Sequence, residues 1–254
     1  MAEISILEGC EISLTLLDDG VEAVLHGLAS PDYGALQDLA DTAGRLDLAR
    51  LSYQHRSEAP LPIAHRREGI VCLGDVPVVV PPAPFLQATR QGEAYLRDRV
   101  AEWLAPADRV ADLFCGCGAF ALPLVTERPD RRVLAIDRDG PAISALSQAG
   151  RVAGLEGRLT CETRDLVSDP LSGPALDGLD GVVFDPPRAG ARAQADALAA
   201  SPVKDVVAVS CNPTSFARDA AILLAGGHRL AAIAPLDQFL WTAHLELAAH
   251  FTRD

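Results

Sequence analysis

Val110-Ala111-Asp112-Leu113-Phe114-Cys115-Gly116-Cys117-Gly118-Ala119-Phe120 is the stretch on which the fold turns. An apolar run closes on an acid, passes through a glycine-bearing turn and enters a helical pattern over Ala119–Glu127. A buried strand, a turn and a helix in that order put a ligand at the carboxyl edge of a parallel sheet. The spacing D-x-F-x-G-x-G lacks the third glycine of the dinucleotide fingerprint, so a nucleotide without a pyrophosphate suits the turn better. Two acids further on fit the same ligand. Val133-Leu134-Ala135-Ile136-Asp137 ends a second strand in a carboxylate able to accept both hydroxyls of a ribose, and Arg164-Asp165 follows a third strand with a carboxylate suited to an adenine amino group.

Working outward, strands and helices alternate from about Gln91. Helices are expected at Glu93–Leu104, Ala119–Glu127, 140–152, 191–200 and 214–225. Strands are expected at Arg109–Phe114, Arg132–Ile136, Leu159–Thr163, Gly181–Phe184, Asp205–Ser210, Arg229–Pro235 and Leu245–Phe251. Such alternation implies an α/β fold with a mostly parallel sheet covered by helices on both faces. The first part reads differently. Glu11–Leu17 and Val21–Leu28 flank the turn Asp18-Asp19-Gly20 as a hairpin. Gly34–Leu46 has helical spacing, Ala49–Gln54 reads as a strand, and Ile70–Val80 as a hairpin turning at Gly74-Asp75 before the breaker run Pro81-Pro82-Ala83-Pro84. The expected organisation is a small α+β segment over 1–80, facing RNA if the chain binds it, and a catalytic domain over 81–254.

Composition narrows the class. The chain has 254 residues, 49% of them hydrophobic, enough for one sizeable core or a core domain plus a small appendage. No apolar run is long enough to span a membrane and the start carries no signal-peptide pattern, so a monomeric cytoplasmic protein without membrane contact is expected. The six cysteines show no C-x-x-C pair and no histidine at ligand spacing, so no metal is expected. A formal charge of −13 argues against a grip on nucleic acid by bulk electrostatics. Arg66, Arg67, Arg188, Arg192 and Arg218 are candidates for a local phosphate-contacting patch, or simply scattered surface residues.

Two stretches carry candidate chemistry. In Phe184-Asp185-Pro186-Pro187-Arg188-Ala189-Gly190, the prolines stiffen a loop that turns a carboxylate toward the substrate side of the cofactor edge. In Val209-Ser210-Cys211-Asn212-Pro213, a thiol arrives at that same edge, as a nucleophile or as a buried strand-end residue. A dense polar run, Asp237-Gln238-Phe239-Leu240-Trp241-Thr242-Ala243-His244-Leu245-Glu246, then precedes the closing strand, with Glu246 either functional or a surface acid.

Together these motifs resemble the RNA 5-methyluridine (uracil-C5) methyltransferases, from Phe85 to the end. Phe85-Leu86-Gln87 is similar to that family's F-x-Q element, Asp112–Phe120 to its cofactor loop, Asp185–Gly190 to its DPPR-x-G loop and Ser210–Asp219 to its SCNP…RD motif. The resemblance implies a Rossmann-like class I methyltransferase sheet. It also implies S-adenosylmethionine as cofactor, held by Gln87, Phe114, Ala119, Asp137 and Asp185, with Cys211 as nucleophile and Glu246 as general base. Uracil C5 is a poor nucleophile, so a thiolate must first add to C6, and a base must later remove the C5 proton. The base must leave its stack to be reached. Thr89, Ala119, Ser215 and Leu240 depart from the family's usual Asn, Asn, Thr and Pro. The family's N-terminal oligonucleotide-binding barrel and clustered iron–sulfur cysteines have no counterpart, so the chain is expected to begin within the central domain. Ribosomal RNA, in the 23S branch, is the preferred substrate; transfer RNA is the alternative, and a non-catalytic cofactor- or RNA-binding module the contrasting class.

Overall fold

The computed structural model describes residues 9–27, 30–56, 58–239, 241–242 and 245–253, and the statements below concern these. They divide into two compact units. One runs through Cys72 and includes Pro77–Pro84; the other comprises Leu73–Val76 and the chain from Phe85.

In the first unit, β1 (Glu11–Leu17) and β2 (Gly20–His26) form the antiparallel hairpin that the Asp18-Asp19-Gly20 turn predicts, with Leu28 outside the described residues. Helix α1 (Tyr33–Arg45) starts at Asp32, whose carboxylate accepts the Ala35 N–H at 2.9 Å. It crosses over to β3 (Arg50–Gln54), which therefore pairs parallel to β2, and β4 (Leu61–His65) completes the order β1-β2-β3-β4. Strand β4 was not expected from the sequence. Its Pro62 lowers strand propensity, yet an edge strand tolerates a proline because one row of its N–H groups has no partner to serve. Leu39 and Ala43 of α1 pack on Ala23, Leu25 and Leu51 to make this unit's core. A buried ion pair, Arg50 Nε to Glu22 Oε1 at 2.9 Å, lies beside it. Strands β5 (Ile70–Leu73) and β6 (Val76–Val79) form a short hairpin through Gly74, whose φ of +63° suits a tight turn.

The second unit runs α2 (Arg90–Trp103), β7 (Arg109–Leu113), α3 (Ala121–Glu127), β8 (Arg132–Asp137), α4 (Gly140–Val152), β9 (Leu159–Thr163), β10 (Gly181–Phe184), α5 (Arg192–Ala199), β11 (Asp205–Ser210), α6 (Pro213–Ala225), β12 (Arg229–Leu236) and β13 (Glu246–Thr252). The seven strands lie in the order β12-β13-β11-β10-β7-β8-β9. Neighbours from β11 to β9 are parallel, and β13 enters antiparallel between β11 and β12. Their central residues are buried on both faces, as a helix-covered parallel sheet requires. Leu113, Ile136, Phe184 and Phe251 of the strands meet Leu198 and Leu223 of the helices in one cluster.

This topology fixes where function sits. The chain leaves β7 toward β8 and β9 on one side, then returns to lay β10 on the other side of β7, so a crevice opens at the carboxyl ends of β7 and β10. Cys211 follows β11 at the same edge. Because β13 runs antiparallel, with Leu247 opposite Ser210, its first residue Glu246 also comes to that edge. Two parallel strands and one reversed strand thereby gather Asp185, Cys211 and Glu246, which are separated by 26 and 35 positions in the chain.

Candidate active site

The turn after β7 owes its shape to backbone conformations that few residues adopt. Phe114 has φ +63°, Gly116 +52° and Gly118 +98°. A Cβ on Gly118 would lie 2.5 Å from Leu146 Cδ1, so the second glycine lets the turn close onto α4. Asp137 braces the turn from the end of β8. Its Oδ2 accepts the Gly116 N–H at 2.9 Å and its Oδ1 the Asp139 N–H at 2.8 Å. Each carboxylate oxygen keeps a second lone pair, available to a ribose hydroxyl. Asp165 is exposed and engaged locally: its carboxylate accepts the Val167 N–H at 3.1 Å and the Ser168 hydroxyl at 3.0 Å, which together hold it below the usual carboxylate range.

The turn walls an open cleft whose lining includes Phe85, Gln87, Phe114, Ala119 and Asp185. Four of the five residues expected at the cofactor thus share one cavity, and the fifth, Asp137, is tied to it through Gly116. The lining contains acids but no lysine or arginine. Beside the turn, Asp112 is fully buried, and among the described residues the backbone N–H of Ala121 is the one group near its carboxyl that favours its charge. Burial raises it well above the ordinary range, opposed by the Ala121 backbone N–H and reinforced by Asp185 and Asp137.

Asp185 accepts a hydrogen bond from Gln87 Nε2 at 3.0 Å. Burial first and the Glu246 charge second push it up to about 7, against the lowering effect of Gln87. Cys211 is half-buried. Burial, then Glu246 and Asp185, raise its thiol, while its own backbone N–H and the Arg188 guanidinium oppose them. Glu246 is 4% exposed, and burial raises it against a hydrogen bond from Gln238 Nε2 at 3.4 Å. Asp185, Cys211 and Glu246 therefore form one electrostatic group.

The loop bearing Asp185 is fastened to α6 at three backbone sites, on residues 188, 189 and 191. Asn212 Nδ2 and Ser215 Oγ both donate to the Arg188 carbonyl, at 2.8 and 3.0 Å. Arg218 Nη2 donates to the Ala189 carbonyl at 3.0 Å, and Asp219 Oδ2 accepts the Ala191 N–H at 2.8 Å. Helix α5 has no side-chain cap of its own, so Asp219 satisfies its first orphan donor from the neighbouring helix. Gly190 completes the joint, with φ +77° and no room for a Cβ, which would lie 2.5 Å from Asp219 Oδ2. The polar residues Asn212, Ser215, Arg218 and Asp219 lie within the Ser210–Asp219 motif, but only the fold reveals that they grip the loop after β10. Gln238 was likewise unassigned in the sequence reading.

Of the arginines considered for a phosphate-contacting patch, Arg66 and Arg67 lie in the first unit and both pair with Asp47. Arg218 pairs with Asp219 at 2.7 Å, while Arg188 and Arg192 are exposed. Among the described residues there is no cluster of His, Cys, Asp and Glu able to hold a metal ion, and no helix is long and apolar enough to cross a membrane.

Comparison with known proteins places these features in context. A family model for tRNA (uracil-5-)-methyltransferase matches residues 176–254. An uncharacterized RNA methyltransferase of Brucella suis biovar 1 is 41% identical over 244 residues, covering 96% of this chain and 57% of its own. The chain thus spans little more than half the length of such curated relatives. A 23S rRNA (uracil(1939)-C(5))-methyltransferase of Chromohalobacter salexigens is 39% identical over 175 residues, 68% of this chain and 36% of that protein. Among solved structures, the Pyrococcus abyssi tRNA (uracil-54, C5)-methyltransferase in complex with S-adenosyl-L-homocysteine aligns with a TM-score of 0.68 and 24% identity, over 91% of this chain and 56% of that one. This likeness bears out the Rossmann-like class I methyltransferase sheet.

Proposed function

We propose that this chain, which is similar to RNA methyltransferases and in its last third to the uracil-C5 family, transfers a methyl group from S-adenosylmethionine to C5 of a uridine in RNA. The observation that carries this reading is the convergence of Cys211, Glu246 and Asp185 at one sheet edge, beside the cleft that the turn after β7 walls.

The cleft suits this cofactor. A sulfonium donor is cationic, and it would meet a lining with acids and no basic side chain. A pyrophosphate would find no such complement. Gln87, Phe114, Ala119, Asp137 and Asp185 would hold it, and when bound it supplies an electrophilic methyl group. The chain's own residues do the rest. Cys211 Sγ, as the thiolate, adds to C6 of the uracil, which turns C5 into an enolate carbon able to take that methyl group. The thiolate form is favoured by the Cys211 N–H and by Arg188, against burial and two carboxyl groups. Glu246 then accepts the C5 proton, C5=C6 re-forms, the S–C6 bond breaks, and the thiolate is restored.

The 23S relative favours ribosomal RNA as the substrate, and the family model and the archaeal structure keep transfer RNA as the second reading. The protein is read as acting as a monomer in the cytoplasm with RNA as its partner. Mass-spectrometric mapping of 5-methyluridine in cells with and without the gene tests this. One site lost from 23S rRNA and regained with the wild-type gene, but not with Cys211→Ala, is expected. Loss from tRNA instead would select the second reading, and no loss from any RNA would point to a non-catalytic module.

A further inference from the structure

The segment Gln87-Ala88-Thr89, immediately before α2, touches both carboxyl groups of the site, one directly and one through a relay. Gln87 donates to Asp185. Two residues on, Thr89 caps α2: its Oγ1 accepts the Gly92 N–H at 2.9 Å. That same hydroxyl lies 3.4 Å from Gln238 Oε1, and Gln238 Nε2 lies 3.4 Å from Glu246 Oε2.

Donor and acceptor chemistry fixes the direction of this chain. An ionised carboxylate only accepts, so the amide must turn its NH₂ toward Glu246 and its oxygen toward Thr89. The threonine hydroxyl has one proton to give, and it gives it to Gln238, because its other contact is with a backbone N–H, which itself donates. The amide is also sterically seated. A Cβ on Gly92 would collide with Gln238 Oε1, so the absence of a side chain in the first turn of α2 makes the space that Gln238 occupies. Glu246 is 4% exposed, and among the described residues the Gln238 hydrogen bond is what opposes the effect of burial on its charge.

We propose that Gln238 is the positioning residue for the proton-accepting carboxylate, and that Thr89 and Gly92 hold Gln238 in place to orient Glu246 Oε2. This rests on the reading of Glu246 as the base that resolves the Cys211 adduct. Thr89 and Gln238 then form a functional pair although they are 149 positions apart. Gln238 touches the base and not the substrate, so its loss should slow the resolving step and leave earlier steps in place.

The test follows single turnovers of the protein on a synthetic RNA that the wild type methylates, reading the denaturation-resistant adduct and the methylated product separately. Gln238→Leu is expected to lower kcat by about tenfold or more, a fraction of what a whole general base contributes. KM for RNA should change by less than about twofold, and adduct should accumulate on ordinary uridine. Thr89→Asp keeps a capping oxygen but has no hydroxyl to give Gln238, so it should show the same defect more weakly, whereas Thr89→Ser should restore wild-type turnover. Gln238→Leu and Thr89→Asp resolving adduct at the wild-type rate, or losing kcat and RNA affinity together without accumulation, would overturn the relay. Trapping on RNA with 5-fluorouridine separates this from failure of the underlying reading: a wild type that never traps refutes the adduct itself, while a trapping wild type with unaffected variants refutes only the relay.

Discussion

At the scale of single residues, the site is a balance between burial and a few compensating contacts. Cys211 is opposed by Glu246 and Asp185, so removing one negative charge should free its thiol. Glu246→Gln is therefore expected to speed alkylation of Cys211 by iodoacetamide at about pH 8 by roughly two- to tenfold, and Arg188→Ala to slow it, since one pKa unit is a tenfold change in thiolate. Equal rates in all three proteins would remove the electrostatic group. For Asp185, the folded carboxyl is raised to about 7 from an ordinary value of 3.8, so the folded chain keeps a proton that the unfolded chain releases. Stability associated with this group is complete below about 3.8 and declines as pH rises to about 7. Asp185→Asn, which can still accept from Gln87, should then be more stable than the wild type at about pH 8, by on the order of 1–4 kcal/mol, and should lose that advantage toward about pH 4. Urea denaturation at several pH values measures it; an advantage that grows toward acid reverses the sign and contradicts the account. Asp137→Ala should weaken cofactor binding in calorimetric titration by about tenfold or more, since it removes both the proposed ribose acceptor and the brace on Gly116.

At the scale of elements, the joint between the Asp185 loop and α6 makes the most exacting demand on the sequence. Gly190→Ala combines a left-handed backbone with a Cβ 2.5 Å from Asp219 Oδ2 and from Arg218 Nη2. It should cost about 1–3 kcal/mol, a fall in Tm of several degrees by calorimetry, and an unchanged Tm would show that the joint yields freely. The strands and helices from β7 onward were legible because each is an apolar run or helical stripe bounded by a turn, with ends that agree within a residue or two. Helix α2 begins at Arg90 and not at Glu93 because Thr89 caps it, a cap that the sequence shows but hydrophobic spacing does not. Strand β4 escaped notice because Pro62 and its largely exposed face erase the alternation. The loop joint and the Thr89–Gln238–Glu246 relay were illegible for another reason: they are contacts between residues far apart in the chain, and no local pattern encodes them.

At the scale of the whole molecule, chemistry arises from how the sheet is threaded. On the proposed function the crevice between β7 and β10 would receive the cofactor, while β11 brings the thiol and the reversed β13 an acid from almost the end of the chain to the same edge. The cleft lining has acids and no basic residue, which suits the proposed cationic donor, and with a net charge of −13 an RNA substrate would have to be held by local contacts. The central claim is that Cys211 forms an adduct which Glu246 resolves. It is tested most directly by incubating wild type, Cys211→Ala and Glu246→Gln with cofactor and substrate RNA, either ordinary or carrying 5-fluorouridine at the target, and counting denaturation-resistant complexes on a gel. The account predicts that the wild type is trapped only by 5-fluorouridine, that Glu246→Gln is trapped by ordinary uridine as well, and that Cys211→Ala is trapped by neither. Methylation by Cys211→Ala, or a Glu246→Gln protein that turns over ordinary RNA without accumulating adduct, would contradict it.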